Sequence, residues 1–215
     1  MSPREAKLIL ASGSPQRQRL LAAAGYAFDV VVPGAHAECG VCSQETPGEL
    51  VARLACQKAA DVRGQLLCRG AARGDGSTAS DDDRLIVSCD TVAECLGQIL
   101  GKPRDRDHAG QMLQLLSGRK HRVYSGLCVS PVGQAGPMRV RVARTTLRMD
   151  RLSAEQIAEY LDSGQWEGKA GAFGYQDRLG WLHVIEGSES NVIGLPTELL
   201  AEMLRAGAAP ASEGG

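Results

Sequence analysis

The chain has 215 residues, 24 Lys plus Arg against 25 Asp plus Glu, and a formal net charge of −1. Apolar residues at 43% and charged residues at 23% sit outside the low-hydrophobicity, high-charge regime of disorder, so a packed core is feasible. A near-neutral charge and only 2 Trp, 4 Tyr and 2 Phe argue against a nucleic-acid polymer as partner, because neither an electrostatic footprint nor stacking platforms are supplied. No apolar run approaches the roughly 18–20 residues that cross a bilayer, and the N-terminus shows no signal-peptide core. A cytoplasmic protein without a membrane partner is expected. Its seven cysteines, an odd number scattered through apolar segments, read as reduced thiols.

Lys7–Ala11 reads as a buried strand, and Ser14 with Pro15 supplies an N-cap and first-turn proline for a helix over Arg17–Ala24 that Gly25 closes. Tyr26–Val32 is a second strand. Thr46-Pro-Gly-Glu49 is a capping box opening a helix to about Arg63, and Gly64–Arg84, mixing Gly, Ser, Ala and charge, reads as a variable surface loop. Leu85–Cys89 is a short strand ending at Asp90, followed by a hairpin of Val92–Leu96 and Ile99–Leu100 around Gly97. Asp105–Leu116 is helical with Gly118 as its stop. Arg122–Ser130 and Met138–Met149 are long strands that pair. Ser153–Gln156 is a second capping box, for a helix that Gly164 ends. Trp181–Ile185 is a strand, Pro196–Leu204 a helix, and 207–215 a flexible tail. The alternation predicts an α/β fold with a mixed, twisted sheet flanked by helices, in which ligands gather at strand carboxyl ends. Asp90 and the Ser12–Arg17 turn are therefore candidates for one cleft.

Several signatures of catalysis are absent: His-Glu-x-x-His, Gly-x-Ser-x-Gly and Gly-x4-Gly-Lys-Ser/Thr. The Gly-x-Gly-x-x-Ala run at 74–79 follows no strand and opens no helix. Cys39-x-x-Cys42 with His36 is either the start of an incomplete zinc site or two loop thiols. Ser12, Ser14, Gln16 and Arg17 surround a helix N-terminus, which suits either an anion site or an ordinary cap with a surface arginine. Asp90 and Lys102 face each other across the expected hairpin, either as proton acceptor and phosphate clamp or as a structural ion pair. Lys58 lies in an amphipathic helix whose simplest reading is a solvated face. Gly168–Gln176 and Gly187–Pro196 are glycine-rich segments flanking a strand, where backbone can approach a ligand and Gln176 can read a base edge.

Leu10–Arg17, Cys89–Val92, Ile99–Pro103, Met112–Arg119, Gly168–Gln176 and Ser190–Pro196, in this order, together resemble the Maf family of nucleoside triphosphate pyrophosphatases, whose fold is similar to that of the inosine triphosphatase group. The resemblance implies one catalytic domain over 1–206 and hydrolysis of a nucleoside triphosphate to monophosphate and pyrophosphate with a divalent metal, magnesium. By the same resemblance, Asp90 matches the catalytic acid, as proton acceptor or metal ligand. Arg17, Lys58 and Lys102 match phosphate-binding residues, and Ser12 and Ser14 the phosphate-cradling turn. Glu38 is nearest to an acidic metal-binding position, with His36-Ala37 in part of the usual acidic pair. Thr91 and Gln176 are similar to the branch acting on dTTP and UTP. Gln16 stands where that branch has Arg and the 7-methyl-GTP branch has Trp. A homodimer is implied. The alternatives are a pyrophosphatase for 7-methyl-GTP or modified nucleotides, and a non-catalytic nucleotide-binding regulator of cell division.

Overall fold

The computed structural model describes residues 7–38, 44–73, 84–133, 136–177 and 179–208. A seven-stranded mixed sheet runs in the order β2-β1-β3-β5-β6-β7, with β4 paired to β3 alone. Its strands are β1 (Leu8–Leu10), β2 (Phe28–Val30), β3 (Leu85–Cys95), β4 (Gln98–Leu100), β5 (Lys120–Pro131), β6 (Arg139–Met149) and β7 (Leu182–Glu186). β1 is parallel to both β2 and β3, and all other pairings are antiparallel. The helices are α1 (Pro15–Ala23), α2 (Pro47–Arg73), α3 (Arg106–Leu116), α4 (Ala154–Asp162), α5 (Glu189–Ile193) and α6 (Thr197–Ala208).

The long strands sort their side chains by alternation. Along β3, Ile86 and Val92 pack with residues of α2, whereas Val87 and Cys89 pack with α1 and α6, and Ala93 and Cys95 with α3 and α4. One sheet face is thus covered by α2. The opposite face carries two separate apolar clusters, one under α1 and α6 and one under α3 and α4. Between those clusters the face turns polar: Thr91 of β3 and Ser125 of β5 are register partners, with hydroxyls 2.8 Å apart.

Gly126 fixes how closely α2 seats. A Cβ built there would lie 2.1 Å from the Val51 carbonyl oxygen, so only glycine lets the helix backbone rest directly on β5. The buried Ser88 hydroxyl then donates to the Ala55 carbonyl at 2.6 Å. Gly126 is also the register partner of Asp90, which puts α2 over that carboxylate.

The caps at Ser14, Thr46 and Ser153 form as expected, and Asp105 caps α3; Thr46 and Glu49 exchange reciprocal bonds of 2.9 and 3.3 Å. The paired long strands and the hairpin at Leu96-Gly97 are also present. Four expectations change. The helix opened at Thr46 continues through Gly64 to Arg73, so 64–73 is helix and not surface loop. Gly64 costs a helix only about 1 kcal/mol, and Leu66 beyond it packs on the Ala59–Val62 cluster; residues 74–83 lie outside the described set. β3 does not stop at Asp90 but runs to Cys95, because Ser125 and Gly126 of β5 pair with Thr91 and Asp90 and carry the ladder through them. The glycine-rich stretch after β7 contains the short helix α5, capped by Ser188. α6 reaches Ala208, so the expected tail begins helical; 209–215 lie outside the described residues.

Candidate active site

β1 ends at Leu10 while its neighbour β3 continues to Cys95. The missing backbone beside Asp90 and Thr91 opens a cavity of about 530 Å³ that reaches both faces of the sheet, and Ser12, Ser14, Gln16, Arg17, Lys58, Asp90, Thr91, Lys102 and Gln176 all line it. The cavity therefore lies at the carboxyl end of the parallel pair β1/β3, as ligand sites in such sheets do, although Asp90 itself is mid-strand.

The turn after β1 is built by its serines. The Ser12 hydroxyl accepts the Ser14 amide at 3.2 Å, and the Ser14 hydroxyl caps α1 by accepting the Arg17 amide at 3.5 Å while donating to Gln16 Oε1 at 3.0 Å. Arg17 is not a free surface arginine. Its Nε donates to the Gly194 carbonyl at 2.8 Å, Nη1 to Ser12 at 3.3 Å and Nη2 to Thr91 at 3.5 Å. The guanidinium thereby ties the first turn of α1 to the end of α5 and to β3, presenting a cation whose orientation is set by its own fork.

Asp90 and Thr91 are adjacent in a strand and so emerge on opposite faces. Asp90 faces α2, where Lys58 Nζ donates to its Oδ1 at 2.6 Å. The lysine side chain is 5% and the aspartate side chain 14% exposed. The solvated-face reading of Lys58 is therefore overturned: Gly126 brings α2 down on the sheet, and the ammonium is buried against the carboxylate. Lys102 lines the same cavity but is not the ion-pair partner of Asp90, since Lys58 holds that position. On the other face, Thr91 Oγ1 lies within reach of Ser125, the Gly194 carbonyl and Arg17. Its hydrogen-bonding capacity is spent on the protein.

Gly168–Gln176 folds over the cavity in two 3-10 turns, Ala170–Ala172 and Tyr175–Asp177. Gly171 has φ +69°, and a Cβ there would meet Ala93 at 3.1 Å, so this backbone presses on the sheet. Asp177 organises the turn: it accepts from Lys169 Nζ at 2.6 Å, from the Tyr160 hydroxyl at 2.6 Å and from the Gly174 amide at 3.3 Å. Burial first, and then the Asp177 carboxylate, push the Tyr160 phenol well above its ordinary range, which keeps it a donor. Gln176 is held beside Gly174, where a Cβ would meet its amide nitrogen at 2.6 Å.

Ser125, the Gly194 carbonyl and the Lys169–Asp177–Tyr160 hub were not legible beforehand. Only the β3/β5 register places Ser125 opposite Thr91, and only the returning chain brings Gly194 to Arg17. Glu38 closes the 3-10 turn Ala35–Glu38, and its side chain lies outside the described residues, as do Cys39 and Cys42. Among the described residues no group of three His, Cys, Asp or Glu side chains converges as a metal cage. Cys56, Cys68, Cys89, Cys95 and Cys128 are free thiols. No helix among the described residues is long and apolar enough to cross a membrane.

The Maf-like protein family matches residues 7–207. A dTTP/UTP pyrophosphatase of Rhodopirellula baltica is 53% identical over 204 residues, covering 94% of this chain and 83% of its own. The dTTP/UTP pyrophosphatase of Chelativorans sp. is 38% identical over 202 residues, covering 93% and 90%. Among solved structures, the Staphylococcus aureus Ham1 protein aligns over 94% of this chain and 99% of its own at 10% identity and a TM-score of 0.45, too distant to add to the assignment. A match that runs through every segment of the cavity wall, with relatives this similar over nearly the whole chain, means that the chain belongs to the Maf-like protein family.

Proposed function

We propose that this protein hydrolyses dTTP and UTP to the monophosphate and pyrophosphate by attack of water on the α-phosphorus. The observation that carries the reading is that every expected site residue with a described side chain lines one cavity, in a chain whose relatives are named dTTP/UTP pyrophosphatases. Ser12 and Ser14 with the first turn of α1, Arg17 and Lys102 bind the phosphates, where cations and helix-terminal amides oppose the charge that develops on phosphoryl oxygens. Asp90 accepts the proton of the attacking water. Lys58 donates to Oδ1 of that carboxylate, which leaves Oδ2 for the water. Gln176 reads the base, and Thr91 acts by fixing Arg17.

The donor set suits a magnesium ion. Such an ion takes one or two carboxylates and completes its shell with substrate phosphate oxygens and water, so the lack of a protein cage among the described residues is in keeping with it. Asp90, as metal ligand in place of proton acceptor, with Glu38 as the second acid, would hold it, and it would supply neutralisation of phosphate charge. Pyrophosphate release from dTTP, UTP, CTP, GTP and 7-methyl-GTP in magnesium tests the reading, with wild type beside Asp90→Asn. Rapid release from dTTP and UTP that the variant loses is the expected result. Preference for 7-methyl-GTP would overturn the substrate, and no release from any triphosphate would favour a nucleotide-binding regulator.

A further inference from the structure

The cavity continues along the Thr91 face of the sheet to a wall of Val123, Leu147, Met149 and His121. His121 is the polar group on that stretch of wall, and it is only 5% exposed. Its Nδ1 lies 3.5 Å from the Arg119 carbonyl oxygen. A carbonyl can only accept, so the neutral ring carries its proton on Nδ1 and a lone pair on Nε2. Burial holds the imidazole below its ordinary pKa, against the opposing pull of the Arg119 carbonyl and of Glu94. Glu94 is itself engaged by the Gly97 amide and Arg122. The contact to Arg119 is the ring's hydrogen bond among the described residues, so the Nε2 lone pair is left for a donor in the cavity that His121 lines.

The donor can be identified by position. Ser125 pairs with Thr91 beside Arg17, and His121 lies four residues before it along β5, about 14 Å away at roughly 3.4 Å per residue. With the phosphates held at Arg17 and the first turn of α1, a ligand reaching this wall presents its base. We infer that His121 Nε2 accepts the imide N3–H of uracil or thymine, making His121 a specificity residue that rejects cytosine, whose N3 carries a lone pair instead of a hydrogen. This rests on the nucleotide reading of the cavity given above, and it leaves the Gln176 amide for the carbonyl edge of the ring.

The test pairs a change in the protein with a change in the substrate. kcat/KM is measured for UTP, CTP and N3-methyl-UTP with wild type, His121→Leu and His121→Gln. Wild type should favour UTP over both others by about tenfold or more. His121→Leu should lose about tenfold on UTP and nothing further on N3-methyl-UTP, because each change removes the same bond. His121→Gln, whose Oε1 can accept, should recover part of the loss. Additive penalties, or a UTP preference unchanged in His121→Leu, would overturn the inference and move the N3–H to another acceptor. Should wild type release pyrophosphate from none of the three, the activity reading fails by itself. Calorimetric binding of UTP and N3-methyl-UTP to the same proteins then decides on His121, with equal UTP affinity in wild type and His121→Leu overturning it.

Discussion

The two faces of β3 at Asp90 and Thr91 solve different problems with adjacent residues. On the α2 side, a partly exposed carboxylate and a buried ammonium stand 2.6 Å apart, an arrangement that costs desolvation and is held by their mutual attraction. On the α3 and α5 side, hydroxyls and carbonyls form a polar seam that orients the Arg17 guanidinium between two apolar clusters. The first environment keeps a charge available for chemistry; the second offers shape and directional hydrogen bonds for recognition. Chemistry and selectivity can therefore be perturbed separately, although the residues concerned are one peptide bond apart.

Asp90→Asn is expected to break the charged side most severely. Turnover should fall by about 10²–10⁴, and urea unfolding should show a loss of about 1–3 kcal/mol because the buried Lys58 ammonium exchanges a carboxylate acceptor for a neutral amide. Adding Lys58→Met to that variant should restore much of the stability and none of the turnover; recovery of both would show that the pair is scaffold alone. Gly126→Ala comes next. Its Cβ would strike the Val51 carbonyl at 2.1 Å, lifting α2 and costing about 3 kcal/mol. The control Gly97→Ala, with open space but φ +81°, should cost about 1 kcal/mol and leave pyrophosphate release unaltered.

On the recognition side, Arg17→Lys keeps the charge but cannot bridge Gly194, Ser12 and Thr91 together, so kcat/KM should drop by about tenfold with little change in thermal midpoint. The smallest expected effect is a pH dependence of stability. The folded-state pKa of His121 is depressed by burial, so the native fold resists binding a proton that the unfolded chain accepts. The stabilisation of a neutral His121 is complete above the unfolded value of about 6.5 and is lost as pH falls toward the folded value. Wild type should therefore lose stability relative to His121→Gln across that window. A constant difference between the two, followed by denaturant unfolding, would mean that the ring is not held neutral.

Local signals carried much of the architecture. Caps at Ser14, Thr46 and Ser153 announce helix starts because their hydroxyl oxygens compete for nearby amides whatever the rest of the chain does. The alternating apolar runs from Arg122 and Met138 announce paired strands for the same reason of locality. Where the reading stopped short, the deciding contacts were distant. Asp90 looked like a strand end because a polar pair interrupts the apolar run, yet the partner strand supplies Ser125 and Gly126 to carry the ladder through it. Gly64 looked like a helix stop because it is a poor helix former, yet packing beyond it outweighs a penalty of about 1 kcal/mol.

The sequence by itself determined which residue types gather at the site: two capping serines, an arginine, lysines, an acid and an amide in a glycine-rich turn. The tertiary structure alone decided their partners. Lys58 rather than Lys102 meets Asp90, Arg17 is oriented by a carbonyl from the other end of the chain, and His121 forms part of the cavity wall. Residue chemistry is a property of single positions and short spacings, whereas pairing and burial follow from strand register and from how closely α2 can approach Gly126, and those are set by contacts between segments far apart in the chain.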